Sequence, residues 1–308
     1  MTNIFIDGSA GTTGLRIRER LSARKDLVLM ELPEALRKDP SARRDALNQA
    51  DVAFLCLPDD AARESASLIT SNHVVVIDTS TAHRTDPAWV YGFPELHGQR
   101  EKLRNSRRIA NPGCHATGFI SLVAPLISGG ALRTDVCLSC FSITGYSGGG
   151  KKMIADYEGP DRDVLLDAPR LYGLSQAHKH LPEMVALCGL ENAPVFCPVV
   201  APFYAGMEVI IPLSWADTYA SPEQLILLYQ EYYANEPLIS IDASGGEGGF
   251  LSAGALSGRD SLRISVEGCE DRLTLVARFD NLGKGASGAA IQNMNLALGL
   301  PEETGLVI

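Results

Sequence analysis

The chain opens on NIFIDGSAGTTGLRIRERL, residues 3–21. A short apolar run leads into glycines at 8, 11 and 14, and then Leu15, Arg18 and Leu21 recur at helical spacing. A strand that turns through glycines straight into a helix is the first half of a right-handed βαβ unit. The pattern then repeats. LVLMELP reads as a second strand, DVAFLCLPDD as a third, AARESASLI as a helix, and HVVVIDTS and RIANPG as further strands. The near-absence of polar residues inside these runs is what a parallel strand covered on both faces requires. The N-terminal third is therefore committed to a parallel α/β sheet.

After about residue 130 the pattern changes. RTDVCLSCFSITGYSG, NAPVFCPVVAPFYAGMEVIIPLSW and LRISVEGCEDRLTLVARFD are longer, alternate more, and are rich in Val and Ile. They predict a mixed or antiparallel sheet with one face more exposed. Ser-Pro-Glu opens a helix at SPEQLILLYQEYYAN, and SGAAIQNMNLALGL is a last helix closed by Gly299 and Pro301. The expected fold is α/β: a Rossmann-type parallel-sheet domain, a second α+β domain and a terminal helix. The 308 residues suffice for about two domains.

Composition narrows the function classes. The formal net charge of −10 opposes nucleic-acid binding, which needs a basic surface to displace phosphate counterions. No apolar run approaches the roughly 20 residues of a membrane span, and the N-terminus lacks the basic start of a signal peptide. Seven cysteines, scattered and odd in number, fit reduced cytoplasmic thiols better than a disulfide framework.

Gly8, Gly11 and Gly14, with Ser9, Thr12 and Thr13 between them, form the candidate cofactor loop. Glycines let backbone approach a pyrophosphate whose charge lies at the helix N-terminus. Glu31, ending the second strand, suits the ribose hydroxyls of NAD. Arg37, Lys38, Arg43 and Arg44 suit the 2′-phosphate of NADP, so residue chemistry leaves both cofactors open.

Cys114 stands in ANPGCHATGF, after a Pro-Gly break and at the start of a helical pattern. Anions are favoured at a helix N-terminus, so this thiol is the candidate nucleophile. The other six cysteines, including the C-x-x-C pair Cys137 and Cys140, read as small core residues. SQAHKHLPEM supplies His178, His180 and Glu183, with a turn expected at Pro182. This is a base for the thiol and a carboxylate to orient it, with His178, first in the motif, as the acid–base. No third ligand pattern accompanies the two histidines, so no metal is expected. Arg84, after a sheet strand, and Arg108 are candidates for gripping a substrate anion. GYSGGGKKM brings Lys151 and Lys152 behind a glycine turn, with no role assigned.

Together GxxGxxG, NPGCHATG, SGGGKK, HKHLPE and DNLGKGASGAAIQNMN resemble the N-acetyl-gamma-glutamyl-phosphate reductase family, in its shorter form, within the aspartate-semialdehyde dehydrogenase superfamily. The resemblance spans nearly the whole chain. It implies an NADP-binding Rossmann domain, residues 1–113 plus 284–308, with the terminal helix returning to it. It also implies a catalytic and oligomerisation domain, residues 114–283. It places Asn281 and Gly285 near the cofactor and makes Cys114 the catalytic cysteine of a cytoplasmic homo-oligomer, dimer or tetramer. The implied reaction is NADPH-dependent reduction of N-acetyl-L-glutamyl 5-phosphate to the 5-semialdehyde in arginine biosynthesis. The alternatives are an aspartate-semialdehyde dehydrogenase or a lysine-pathway reductase with the same chemistry, a cysteine acyl-transferase or hydrolase without nicotinamide, and a cofactor-binding regulator.

Overall fold

A computed structural model describes residues 1–244 and 246–308. They form two compact units, Met1–Gly113 with Ala286–Leu306, and Cys114–Gly285 with Val307–Ile308.

The first unit runs β1 (Thr2–Asp7), α1 (Thr12–Ser22), β2 (Leu27–Met30), α2 (Pro40–Gln49), β3 (Val52–Leu55), α3 (Asp59–Ser67), β4 (Val75–Asp78), β5 (Val90–Tyr91), α4 (Gln99–Arg104) and β6 (Arg108–Ala110). Its six strands lie in the order β2-β1-β3-β4-β6-β5, and every neighbouring pair is parallel. Strand side chains alternate between two apolar layers. Ile4 and Ile6 pack with Ile17 and Leu21 of α1, whereas Phe5 packs with Ala46 and Leu47 of α2. Two covered faces explain why these strands read as unbroken apolar runs. From β1 the chain moves outward to β2, then crosses back to β3 on the other side of β1. The order therefore reverses between β1 and β3, the crevice where doubly wound sheets bind ligands.

The second unit begins with α5 (Cys114–Ser128) and continues through β7 (Ser139–Gly145), α6 (Gly150–Glu158), β8 (Arg170–Leu171), α7 (Leu181–Cys188), β9 (Val195–Ala201), β10 (Met207–Ser214), α8 (Pro222–Tyr232), β11 (Ile239–Asp242), β12 (Leu262–Cys269) and β13 (Arg272–Phe279). The seven strands form a mixed sheet, β11-β12-β13-β10-β7-β9-β8, parallel only at β7–β9 and β11–β12. LRISVEGCEDRLTLVARFD folds as the hairpin β12–β13, turning at Glu270 and Asp271. Helices α5 and α8 pack on the sheet and α7 packs on α5. On the other face Phe141 and Val195 remain 44% and 57% exposed, which accounts for the alternating sequence pattern. The chain then passes through a wide turn, Gly283–Ser287, and enters α9 (Gly288–Ala297), which packs on α1, α4 and β4 in the first unit.

Helix α5 is apolar all round and almost wholly buried, yet carries Pro125. A proline inside a helix cannot donate to the carbonyl four residues back. That carbonyl belongs to Ser121, and the Tyr233 hydroxyl donates to it at 2.8 Å. Tyr229 likewise donates to the Leu122 carbonyl at 2.6 Å.

Two sequence expectations need correction. Cys137 precedes β7 and Cys269 sits at the β12–β13 turn; both are exposed rather than core, whereas Cys140 and Cys188 are buried. The turn expected at Pro182 is the first turn of α7, where proline is tolerated because its missing N–H has no intrahelical partner there. Among the described residues no helix is long and apolar enough to cross a membrane.

Candidate active site

The glycine loop lies at the end of β1, beside the β1/β3 switch point. Gly8 has φ +87°, and a Cβ there would fall 2.3 Å from the Cys56 carbonyl oxygen at the end of β3. A Cβ at Gly14 would meet the Gly8 carbonyl oxygen at 2.6 Å. The fold itself demands these two glycines. Gly11 is different: its φ is −74°, and a Cβ would make only ordinary contact, 3.6 Å from Gly8 O. Gly11 is the N-cap of α1 and has no side chain to cap the first-turn N–H groups. Next to it the Thr12 hydroxyl is buried without a hydrogen-bond partner among the described residues. Uncapped donors, an orphaned hydroxyl and a missing methyl fit an anionic pyrophosphate.

A pocket of about 380 Å³ opens beside this loop, lined by Gly8, Ser9, Arg18, Glu31, Arg37 and Lys38 among others. The Glu31 carboxylate is paired with Arg18 at 2.5 Å. Arg43 also reaches the pocket, but its guanidinium holds Asp7 at 2.9 Å, with Ser65 donating to the same carboxylate oxygen at 2.7 Å. Arg44, grouped with these cations in the sequence, is exposed and does not line the pocket.

The second unit carries the cysteine. Strand β6 ends at Ala110, Pro112 and Gly113 break the chain, and Cys114 becomes the first residue of α5. Its thiol is half-buried. Beside it His115 is buried, with Nδ1 2.7 Å from Ser142 Oγ on β7 and Nε2 2.6 Å from the Tyr172 hydroxyl. Burial pushes the His115 imidazole down to about 3, helped by the charges of His178 and Lys179, so the ring is neutral at neutral pH. The rings of His178 and His180 each lie 5.4 Å from that of His115 and 4.8 Å from one another, with Phe196 closing the cluster. The backbone N–H of His180 donates to His178 Nδ1 at 3.3 Å. Of the two motif histidines, it is His180 whose ring nitrogen joins Cys114 Sγ and a His115 nitrogen in a group within 4.8 Å of one another. A metal on that group would need a lone pair from His115. A neutral imidazole has one, and both ring nitrogens are held by hydroxyls.

The remaining sequence candidates fall as follows. Glu183 is buried in the first turn of α7. A side chain at Gly285 would press on Cys114 Cβ at 3.0 Å, so the Asn281–Gly285 turn lies against the cysteine. Asn281 donates to Ser147 Oγ at 3.0 Å and accepts from the Gly206 N–H at 2.9 Å, tying that turn to the glycine-rich segment after β7. Lys151 and Lys152 are exposed on α6. Arg84 and Arg108 belong to the first unit. Arg84 is buried and donates to the backbone carbonyls of Asn111 and Thr79. Arg108 lies over the Trp89 ring, 5.8 Å from its centroid, and donates to the Ile69 carbonyl. Sequence reasoning missed His115, Ser142 and Tyr172. His115 adjoins the cysteine inside the quoted motif and Tyr172 stands six residues before His178, but nothing in the spacing pairs them.

A doubly wound parallel unit followed by a mixed-sheet unit opening on a cysteine in the first turn of a helix defines a class of aldehyde-forming dehydrogenases. Residues 9–106 match the family profile described as semialdehyde dehydrogenase, NAD binding domain, and residues 114–281 that described as semialdehyde dehydrogenase, dimerisation domain. The chain belongs to the semialdehyde dehydrogenase family. Within it, the chain is 46% identical to N-acetyl-gamma-glutamyl-phosphate reductase 2 of Nostoc sp., with 98% of each chain covered. It is equally 46% identical to the N-acetyl-gamma-glutamyl-phosphate reductase of Brucella ovis, over 96% of this chain and 98% of that one. The fold is shared with aspartate semialdehyde dehydrogenase II of Vibrio cholerae (TM-score 0.72, 17% identity, 97% and 98% covered). It is also shared with the NADP-bound aspartate semialdehyde dehydrogenase of Candida albicans (TM-score 0.69, 14% identity, 97% and 99% covered).

Proposed function

We propose that this chain reduces N-acetyl-L-glutamyl 5-phosphate to N-acetyl-L-glutamate 5-semialdehyde with NADPH, releasing inorganic phosphate, in arginine biosynthesis. The observation that carries the chemistry is the Cys114 thiol at the start of α5, within 4.8 Å of a His180 ring nitrogen. The substrate rests on the full-length relatives, since the aspartate semialdehyde dehydrogenases are similar in fold alone.

The Cys114 thiolate attacks the acyl carbon of the mixed anhydride; the C–O bond to phosphate breaks, phosphate leaves, and a thioester remains. A nicotinamide cofactor, held at the glycine loop, would supply the hydride for reduction of this thioester to a thiohemiacetal. His180 donates the proton to the thiohemiacetal oxygen and takes it back as the C–S bond breaks, which frees aldehyde and thiolate. We assign this role to His180 rather than His178 on its closeness to the thiol. His178, with Nδ1 accepting from the chain, carries its proton on Nε2 when neutral and supports the cluster, as does Glu183.

NADP is preferred because Glu31, the acid that would serve NAD, is engaged by Arg18, while Arg37 and Lys38 bring positive charge to the same pocket. Gly8, Ser9, Gly11, Thr12, Thr13 and Gly14 hold the pyrophosphate, and Asn281 and Gly285 set the turn behind the cysteine. The unit opening at Cys114 is the catalytic and oligomerisation domain. A second copy covers the exposed sheet face bearing Phe141 and Val195, giving a cytoplasmic homo-oligomer.

The test is the reverse reaction. Phosphate-dependent reduction of NADP⁺ by N-acetylglutamate semialdehyde is expected, lost in Cys114→Ser with NADPH binding intact. Preferential turnover of aspartate semialdehyde, or full activity in the serine variant, refutes the assignment.

A further inference from the structure

Among the described residues Gln176 is the one non-glycine with a positive φ, +56°. A residue with a Cβ disfavours that left-handed backbone and stays in it only when its surroundings hold it there. Packing does not hold it, because Gln176 is exposed. Its side chain does. Gln176 Nε2 donates to the Phe196 carbonyl at 2.7 Å, and Gln176 Oε1 accepts from the Phe196 N–H at 2.9 Å.

These two bonds continue a sheet edge past the end of its strand. Strand β8 pairs Arg170 with Val200 and Leu171 with Val199 of β9, and the Tyr172 N–H donates to the Pro198 carbonyl at 3.0 Å. Backbone groups facing one neighbour alternate along a strand, so after Val200 and Pro198 it is Phe196 that presents its N–H and C=O to this side. Residue 174 would be its partner in a longer strand. The chain instead turns away at Gly173, φ +64°, and the Gln176 N–H closes that turn on the Gly173 carbonyl at 3.0 Å. The Gln176 carboxamide, one donor and one acceptor, fills the rung that the backbone leaves empty.

The same residue begins the histidine segment. The Phe196 ring, whose backbone Gln176 holds, lies 5.0 Å from the His178 ring and 5.3 Å from that of His115. The His180 N–H donates to His178 Nδ1 at 3.3 Å and the Leu181 N–H to the His178 carbonyl at 3.0 Å. Leu181 opens α7, which packs on α5, the helix that Cys114 begins. Residues 177–180 therefore run between two anchors, the Gln176 carboxamide on β9 and α7 on α5. Both histidines lie on this short span, and a His180 ring nitrogen is within 4.8 Å of Cys114 Sγ.

We propose that Gln176 is a positioning residue, whose two-bond clamp on Phe196 fixes the 177–180 segment and with it the reach of His180 to the Cys114 thiol. The strained backbone at Gln176 is held by this clamp. The idea rests on the proposed function only in taking Cys114 and His180 as the reacting pair; it requires no particular acyl phosphate.

Gln176→Gly accepts the left-handed backbone freely and removes the clamp, so it separates positioning from folding. A reacting group displaced by about 1 Å can cost about 100-fold in rate. In the phosphate-dependent oxidation of N-acetylglutamate semialdehyde, kcat should fall by about 10- to 100-fold with NADP⁺ affinity unchanged. The Phe196 amide should exchange with solvent faster, and the His178 ring resonances, assigned by comparison with His178→Asn, should move. Gln176→Glu supplies the rescue. Its protonated carboxyl donates and accepts as the carboxamide does, whereas its carboxylate has no donor for the Phe196 carbonyl. Its kcat relative to wild type should recover as pH falls toward the ordinary glutamate value of about 4.5. A merely structural role for Gln176 would lower the melting temperature without that recovery. Wild-type kcat in Gln176→Gly, unaltered Phe196 exchange, or no recovery in Gln176→Glu overturns the proposal. If exchange and the His178 resonances respond as expected while the wild-type enzyme turns over another acyl phosphate, with the same loss and recovery of kcat, the clamp stands and the substrate assignment falls.

Discussion

Replacing Gly8 or Gly11 by alanine separates what the glycine loop does for the fold from what it does for the cofactor. At Gly8 the left-handed backbone, φ +87°, costs a residue with a Cβ about 1–2 kcal/mol. The added methyl would also stand 2.3 Å from the Cys56 carbonyl oxygen, an overlap with backbone that no rotamer relieves. Forcing extra volume into a packed region typically costs about 1–3 kcal/mol. About 3 kcal/mol together corresponds to a melting temperature lower by about 10 °C for a domain of this size. At Gly11 neither term arises: φ is −74° and the nearest contact is 3.6 Å. Gly11→Ala should melt within about 2 °C of wild type, since glycine and alanine differ little outside special geometry. If Gly11 holds the pyrophosphate as proposed, its methyl would meet that group, and overpacking of about 1–3 kcal/mol should weaken NADPH binding about 10- to 100-fold. Differential scanning calorimetry and titration of NADPH fluorescence read the two effects separately. Wild-type NADPH affinity in Gly11→Ala, or a wild-type melting temperature in Gly8→Ala, would refute the reasoning.

Three further outcomes follow from particular contacts. His180→Asn should lower kcat by about 10²–10⁴-fold with NADPH affinity unchanged, and His178→Asn should lower it less; the reverse order returns the acid–base role to His178. Tyr233→Phe strips the Ser121 carbonyl, already orphaned by Pro125, of its donor, and should cost about 1–3 kcal/mol by urea denaturation; an unchanged midpoint means the carbonyl has another partner. Burial raises Glu208 to about 7, with Arg278 opposing and Glu247 reinforcing the shift. The folded state therefore holds a proton that the unfolded state has already released near 4.5. This contribution is complete below about 4.5 and is lost as pH rises through 7. Glu208→Gln should flatten the stability profile over that window, and an unaltered slope counts against the shift.

The α/β alternation was legible because its causes are local. A parallel strand covered on both faces must be apolar throughout, and a strand with one exposed face must alternate. Both patterns lie within a few residues, as DVAFLCL and the stretches after residue 130 show. The glycine turn is likewise a short-range demand of strand and helix ends. Short-range reading misled where a run of one character hid a reversal or an edge. LRISVEGCEDRLTLVARFD is a hairpin, Cys137 and Cys269 lie outside the core, and Pro182 opens a helix. The polar partners were beyond reach altogether. Glu31 ends the second strand, where an acid suits a ribose, and only folding brings it to Arg18. His115 finds Ser142 27 residues away and Tyr172 57 away, while Tyr233 meets Ser121 across 112. Apolar periodicity is written along the chain because burial acts on each residue alone. A hydrogen bond needs two atoms at one distance and angle, and only the packed tertiary structure decides which two meet.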